Sequence, residues 1–304
     1  MKIGYNGTSL VQKASVDLVV EDARAAQADG FSSYWLAEHP SGGFDALTVL
    51  AIVGQTVKDI ELGTAIVPTF PRHPMVLAGQ TLTTQSAIDN RLTLGIGLSH
   101  EVMMAQLGLS FEKPIRHLRE YLSILMPLLE DGKVKFKGET LSCDVALFKV
   151  AQERPGVVVA ALGPQALRVA GARTDGTTLA WVGPKTIAEH IVPTISESAA
   201  KNGKPKPRII ATLPACVTND PKGVREKISK MLAMYSQLPS YKAMFEREGL
   251  NEPGEVALVG SAAEVEDSLE GLALAGVTDY AATIFGTSKD EYSATREVLM
   301  NFMK

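Results

Sequence analysis

The chain has 304 residues, of which 45% are hydrophobic and 21% are charged, and its formal net charge is -4 at pH 7. A chain of this length and apolar content can bury one large core, and an α/β barrel of this size commonly forms a single domain. The slightly acidic balance excludes a global basic field that would attract nucleic acid or anionic lipid, and no run of Lys and Arg suggests a local one.

Short apolar runs alternate with longer stretches of helical periodicity, which is the pattern of βα units on a parallel sheet. In chain order, the expected strands cover residues 2–6, 33–37, 61–67, 92–96, 157–161, 177–181, 208–217 and 278–285. The expected helices cover 15–28, 44–57, 74–87, 114–130, a segment that begins at Pro164, 184–202, 221–237, 262–275 and 288–303. This order predicts a (β/α)8 TIM barrel with eight parallel strands, and a doubly wound open sheet is the alternative.

Two stretches, 132–155 and 239–255, lack this regular alternation, and we expect both to be irregular. We interpret them as insertions into a single barrel domain that spans residues 1–304. Long connections of this kind are usually functional or interfacial elaborations of a fold.

The cysteines and the apolar runs indicate the cellular setting. Cys143 and Cys216 are far apart in the sequence and neither belongs to a CxxC or CxxH motif, so neither a metal site nor a disulfide framework is expected. The N-terminal segment lacks an apolar stretch of signal-peptide length, and no run reaches the roughly 20 apolar residues of a membrane span. We therefore expect a cytoplasmic globular protein that binds neither membranes nor nucleic acid.

The second expected strand ends in a carboxylate and an imidazole. In residues 33–40, SYWLAEHP, an apolar strand leads into Glu38 and His39, and Pro40 then removes a ladder donor. In a parallel barrel the chemistry lies at the carboxyl ends of the strands, so both residues stand where a site is expected. A lone histidine at a strand end is more often structural than catalytic, and the pattern alone leaves both roles open for His39.

The fourth expected strand also ends in polar residues. Residues 95–101, GIGLSHE, bring His100 and Glu101 to the same rim. The segment is not a dinucleotide-binding fingerprint, because the third glycine of that motif is missing. The chain contains no GxSxG, HExxH or P-loop motif, so nucleophilic hydrolysis, zinc chemistry and nucleoside triphosphate hydrolysis have no support.

The fifth and sixth expected strands each end in Gly-Pro at the start of a helix. The first pair is Gly163 and Pro164, and the second follows Trp181 by two residues. Such a pair is usually turn chemistry, since proline suits the first helical position. Alternatively, the unpaired amides of the first helical turn bind a phosphate. Trp181 is either a core residue or the wall of a cofactor site.

Taken together, five segments of the chain resemble the bacterial-luciferase-like superfamily of flavin and deazaflavin barrels. In order they are ADGFSSYWLAEH, LGTAIVPTFPRHP, RLTLGIGLSHE, GLSFEKPIRHLREYL and VVVAALGPQALRVAG, and they extend over nearly the whole chain. Within the superfamily the chain most resembles the oxidoreductases that use coenzyme F420, an 8-hydroxy-5-deazaflavin. The resemblance implies a homodimer and a small-molecule substrate.

The resemblance also assigns roles to individual residues. His39, preceded by Glu38, matches the family histidine that lies near the reactive face of the ring and acts as acid or base. The bond Ala65–Ile66 matches a cis peptide behind the ring. The loop that matches the family's phosphate site consists of Ala160, Ala161, Leu162, Gly163 and Pro164. The remaining candidate cofactor contacts are Gly97, Ser99 and Trp181.

The chain departs from the family pattern in one place. Sugar-phosphate dehydrogenases of the superfamily carry Gly-Thr-Gly-Glu after the fourth strand, where this chain has residues 97–101, GLSHE. This difference leaves both His100 and Glu101 as candidates for a second proton donor, and it argues against glucose 6-phosphate as the substrate.

The resulting expectation is an F420-dependent oxidoreductase that transfers a hydride between the deazaflavin and a small organic substrate. One alternative is an FMN-dependent monooxygenase on the same barrel. The other is a barrel that binds a cofactor without catalysing a reaction.

Overall fold

The computed structural model describes residues 1–8, 15–39, 43–148 and 153–304, so the predicted role of Pro40 lies outside the described residues. The strands β1 to β13 are, in chain order, Lys2–Asn6, Ser33–Leu36, Glu61–Thr64, Val67–Pro68, Leu92–Gly97, Lys133–Lys137, Ser142–Ala146, Gly156–Ala160, Gly176–Ala180, Arg208–Thr212, Pro214–Val217, Leu258–Gly260 and Asp279–Ile284.

The main sheet closes on itself. Its strands are hydrogen-bonded in the order β1-β2-β3-β5-β8-β9-β10-β13, and β13 pairs in parallel with β1. These eight strand positions form a closed parallel barrel, so the prediction of a TIM barrel is confirmed and the alternative of an open sheet is wrong.

Helices follow most barrel strands and cover the outside of the barrel. They are Val16–Ala28, Ala46–Thr56, Pro74–Ala87, Glu101–Gln106, Pro114–Glu130, Pro164–Arg173, Pro184–Thr186, Val192–Lys201, Pro221–Met231, Ala233–Gln237, Pro239–Glu248, Ala262–Leu274 and Lys289–Phe302, with a π-helical turn at Ile187–Ile191. Many of these helices begin at a proline or are capped by a side chain. For example, the side chain of Ser261 caps the helix Ala262–Leu274 by accepting a hydrogen bond from the amide of Glu264. None of the described helices is both long enough and apolar enough to span a bilayer.

The barrel interior is filled in layers, beginning with an ion-pair layer at the amino-terminal ends of the strands. Arg208 donates hydrogen bonds to Glu61 at 2.8 Å and to Asp279 at 2.7 Å. The next layer is apolar and consists of Trp35, Val158, Ile210 and Ala281. Because side chains alternate along a strand, the layer above these residues faces the mouth of the barrel at the carboxyl ends.

The indole of Trp35 occupies the centre of the apolar layer. A Cβ atom added to Gly63 would lie 2.1 Å from the indole ring, so only glycine leaves room for this side chain on β3. The indole nitrogen donates to the hydroxyl of Ser33 at 2.8 Å. The barrel is therefore closed below its mouth, and ligands must bind above Trp35.

The first region predicted to be irregular contains regular structure. Strands β6 and β7 form an antiparallel hairpin. The carboxylate of Glu120 stabilises the turn of this hairpin by accepting hydrogen bonds from the amides of Glu139, Thr140 and Leu141. Although burial opposes ionisation, the hydrogen bonds from Thr140 and these amides lower the pKa of Glu120 to about 2. The prediction of irregular structure was wrong because Glu120, which stabilises the hairpin turn, lies on a helix outside the predicted segment. Residues 149–152 of that segment lie outside the described part of the chain.

The second region predicted to be irregular, 239–255, contains the helix Pro239–Glu248, and the strand β12 follows it without having been predicted. The predicted strand 208–217 is broken at Leu213, whose carbonyl accepts a hydrogen bond from the hydroxyl of Tyr280 at 2.8 Å. The segment beyond this break, β11, pairs with both β12 and β13. These pairings depend on tertiary contacts that no local pattern encodes.

Candidate active site

The two polar residues that follow β2 have different surroundings. Glu38 lies on the wall of the barrel, where Oε1 accepts a hydrogen bond from Nη2 of Arg72 at 3.0 Å and Oε2 accepts one from the amide of Ala46 at 3.2 Å. His39 follows β2, and continued alternation from the inward-facing Trp35 predicts that its side chain faces the mouth instead. Glu38 is thus an anchoring residue, while His39 is available for chemistry.

The anchor of Glu38 is shared with a second carboxylate. Nη2 of Arg72 also donates to Oδ2 of Asp45 at 2.9 Å, while Oδ1 of Asp45 caps a helix through the amide of Thr48 at 2.7 Å. Burial raises the pKa of Glu38 and Arg72 opposes this effect. The cluster fixes the end of β2 to the start of the helix Ala46–Thr56.

The imidazole of His39 is half-buried. Burial lowers the pKa of His39 from its usual value of 6.5, because the charged ring loses water. The ring is therefore mainly neutral at pH 7, the state in which a histidine accepts a proton.

The segment that follows β3 carries Ile66, whose side chain reaches the neighbouring strand β5. The peptide bond Ala65–Ile66 is cis, as the resemblance predicts. A Cβ atom on Gly97 would lie 3.0 Å from Cδ1 of Ile66 and 3.2 Å from Cβ of Ala160. Three of the candidate cofactor residues, Ile66, Gly97 and Ala160, therefore meet at one wall of the mouth.

The residues after β5 divide into exposed and half-buried groups. Ser99 has a left-handed backbone with φ of 62°, which is uncommon for a residue with a side chain and is often found at functional sites. His100 precedes the helix Glu101–Gln106 and is half-buried, and burial lowers its pKa. Glu101 is exposed. Of the two candidates for a second proton donor, His100 is the one in contact with other residues of the mouth.

Those contacts form an aromatic cluster that we define as His100, Trp181, Tyr235 and Tyr241. The ring of Tyr241 lies 5.7 Å from that of His100, and the ring of Tyr235 lies 5.7 Å from that of Trp181, between centroids. The two tyrosine rings are 5.1 Å apart. Trp181 therefore borders the mouth, and the second insertion contributes to the site.

The sequence analysis did not single out the two tyrosines, because Tyr241 lies in the segment interpreted as irregular and Tyr235 lies in the predicted helix 221–237. The available signal was a pair of tyrosines, one just before and one just inside the second insertion. Burial raises the pKa of Tyr235 and, more strongly, that of Tyr241, so both hydroxyl groups stay protonated at neutral pH.

The two Gly-Pro helix starts differ in whether their amides are free. At the second, the amides of Lys185 and Thr186 donate to the carboxylate of Glu248 at 3.1 and 2.7 Å. At the first, Gly163 is exposed, and a Cβ atom there would have no neighbour within 4 Å. The helix Pro164–Arg173 begins without a side-chain cap. The first helix start is therefore the open one, and it is suited to an anion.

A histidine that the sequence analysis did not consider supports the open helix start. Nε2 of His190 lies 2.8 Å from the carbonyl oxygen of Leu162, so this nitrogen carries the proton and donates. His190 belongs to the π-helical turn Ile187–Ile191, an irregularity that is frequent near functional sites. The contact holds the loop that precedes Gly163.

The site thus combines a neutral histidine, a glycine-lined wall, an aromatic cluster and an open helix start, all at one end of the barrel. Within the described residues, no group of three or more His, Cys, Asp or Glu is arranged to hold a metal ion. The arrangement brings an imidazole that can accept a proton and a helix start that can bind an anion to the same end of the barrel.

Comparison with protein families gives a match over most of the chain. The model described as luciferase-like monooxygenase matches residues 3–279. Among individual proteins, the 5,10-methylenetetrahydromethanopterin reductase of Methanolobus tindarius is 24% identical over 298 residues, which are 96% of this chain and 90% of that protein.

Solved structures share the fold. The coenzyme F420 dependent tetrahydromethanopterin reductase from Methanopyrus kandleri has a TM-score of 0.83 and 20% identity, with 98% of this chain and 97% of that chain covered. An F420-dependent secondary alcohol dehydrogenase in complex with an F420-acetone adduct has a TM-score of 0.82 and 17% identity, with 100% and 99% covered. At these identities the likeness establishes the barrel architecture.

Proposed function

This chain belongs to the luciferase-like monooxygenase family, and from that premise we propose that it is a coenzyme F420-dependent oxidoreductase that acts on a small organic substrate. The relatives named above are F420-dependent enzymes or reductases, which supports this cofactor. The observation that carries the proposal is the open helix start at Gly163, beside a wall formed by Ile66, Gly97 and Ala160.

The residues of the mouth fit a phosphorylated deazaflavin. The amides after Pro164 are suited to the phosphate, and the packed wall of Ile66, Gly97 and Ala160 offers an apolar face against which a flat ring can lie. A buried hydroxyl group at Thr212 has no hydrogen-bond partner among the described residues. When bound, the deazaflavin supplies a ring carbon that accepts or donates a hydride.

The chain's own residues then have distinct tasks. His39 accepts or returns the proton of the substrate, since its lowered pKa keeps the ring neutral at pH 7. The aromatic cluster borders the mouth and limits access of water to it. Glu38 and Arg72 hold the end of β2, and with it His39, in place.

The choice of cofactor is the first test. Anaerobic titration, followed by fluorescence, should show oxidised F420 binding at micromolar affinity or better and FMN binding more weakly. Equal or tighter binding of FMN would favour the monooxygenase instead. Tight binding of F420 without hydride transfer, across a series of ketones, imines, unsaturated ketones and alcohols, would favour the non-catalytic barrel.

The phosphate site is tested by Gly163→Val. A Cβ atom at this position has no neighbour within 4 Å, so the variant should fold normally, but its side chain should block approach of a phosphate to the amides. We expect F420 to bind about tenfold more weakly, equivalent to about 1.4 kcal/mol. The phosphate-free core of the cofactor, 8-hydroxy-5-deazariboflavin, should bind Gly163→Val and wild type equally.

A matched control is Gly271→Val, because Gly271 also has open space around its Cβ position and lies on the helix Ala262–Leu274. This variant should bind F420 as the wild type does. Unchanged affinity in a folded Gly163→Val protein would place the phosphate elsewhere.

A further inference from the structure

The hydroxyl group of Thr212 is buried without a hydrogen-bond partner among the described residues. The residue is 8% exposed and is the last residue of β10. A buried hydroxyl group that makes no hydrogen bond opposes folding, because it has lost its bonds to water. Most such groups in proteins are paired, so this exception requires an explanation.

The position of Thr212 on β10 directs its side chain to the mouth. Arg208 and Ile210 both point into the barrel, where they belong to the ion-pair layer and the apolar layer. Thr212 is the next residue on the same face of the strand. It therefore lies one layer above Ile210 and Trp35, at the floor of the space where a ligand would bind.

The neighbours of Thr212 belong to the proposed site. On the adjacent strand, Thr212 is in register with Ala180, the residue before Trp181. The amide of Trp181 donates to the carbonyl oxygen of Thr212 at 3.3 Å. The carbonyl oxygen of Thr212 is thus paired, whereas its hydroxyl group has no partner among the described residues.

We propose that the hydroxyl group of Thr212 binds the deazaflavin ring by donating a hydrogen bond to one of its carbonyl oxygens. This inference rests on the proposed function. A valine would fill a similar volume without a polar atom, and among the described residues nothing pairs with this hydroxyl group, so a carbonyl oxygen of a ligand at the mouth would supply its acceptor. The ring is the part of the cofactor that reaches the floor of the mouth, while the phosphate remains at the rim.

The test is Thr212→Val, with thermal unfolding and ligand binding measured on the full chain. Without ligand, the variant should melt higher than the wild type, by about 2 °C, because an unsatisfied group is removed. Its affinity for F420 and for 8-hydroxy-5-deazariboflavin should fall by the same factor, about tenfold, because the lost contact is to the ring. Thr212→Ser keeps the hydroxyl group and should restore most of the affinity for both.

Thr81 provides a matched control. Its hydroxyl group is also buried and unpartnered, but it lies on the helix Pro74–Ala87, outside the barrel. Thr81→Val should likewise melt higher, while its affinity for F420 stays unchanged.

Three results would overturn the inference. A lower melting temperature for Thr212→Val would show that the hydroxyl group has a partner within the protein. Unchanged affinity would show that the cofactor does not use it. Failure of the wild type to bind either F420 or its phosphate-free core would reject the proposed function and this contact with it, whereas the other two results leave the function intact.

Discussion

His39→Ala should lower kcat by roughly 10²–10⁴, the usual effect of losing a general acid or base. The affinity for F420 should stay within a few-fold of the wild type, because the phosphate and the ring contact other strands. The reason for the loss is that alanine cannot carry the proton that must leave or reach the substrate as the hydride moves.

The pH profile identifies the role of His39. In the direction in which an alcohol is oxidised, His39 must be neutral to accept the proton, so the rate should fall as the pH drops through its pKa. Burial lowers this pKa, so the acid limb should lie below pH 6.5. The limb should be absent in His39→Ala. In single-turnover measurements of deazaflavin absorbance, His100→Ala should lose less activity than His39→Ala. If His39→Ala instead transferred hydride at the wild-type rate, the role of proton acceptor or donor would pass to His100.

Arg72→Leu should cost about 3 kcal/mol of unfolding free energy, since removing one partner of a buried ion pair leaves charge uncompensated. The side chain of Arg72 is 18% exposed, and it pairs with both Glu38 and Asp45. Glu38→Gln alone should cost less, about 1–3 kcal/mol, because Arg72 keeps Asp45. The double variant should lose less than the sum of the two, since the pair is coupled.

The pH dependence of Arg72→Leu follows from Glu38. Burial already raises the pKa of Glu38, and loss of Arg72 should raise it further. A raised pKa means that the folded state binds the proton more tightly, so the variant should regain stability as the pH falls. Urea unfolding at several pH values measures this effect. Lys135→Leu is the control, because its ion pair with Asp144 is exposed and should contribute little; an equal loss in both variants would contradict the argument.

Local patterns in the sequence determined the architecture. Apolar runs of strand length and amphipathic stretches between them identified the eight barrel strands, because both patterns depend on residues only a few positions apart. The same reasoning placed Glu38 and His39 at the carboxyl end of a barrel strand, and the structure then showed Glu38 paired with Arg72 on the wall of the barrel. The cis bond at Ala65–Ile66 came from resemblance and not from any local pattern.

Only the tertiary structure distinguished between residues that look alike in sequence. Two Gly-Pro helix starts have the same local pattern, but the carboxylate of Glu248 occupies the one at Gly183 and leaves the one at Gly163 open. Likewise, the carboxylate of Glu120 accepts hydrogen bonds from the turn of a hairpin that was predicted to be irregular, and Thr212 differs from Thr81, which is also buried and unpartnered, in lying on a barrel strand. In each case the deciding atom lies far along the chain, and its distance is set by how the strands and helices pack.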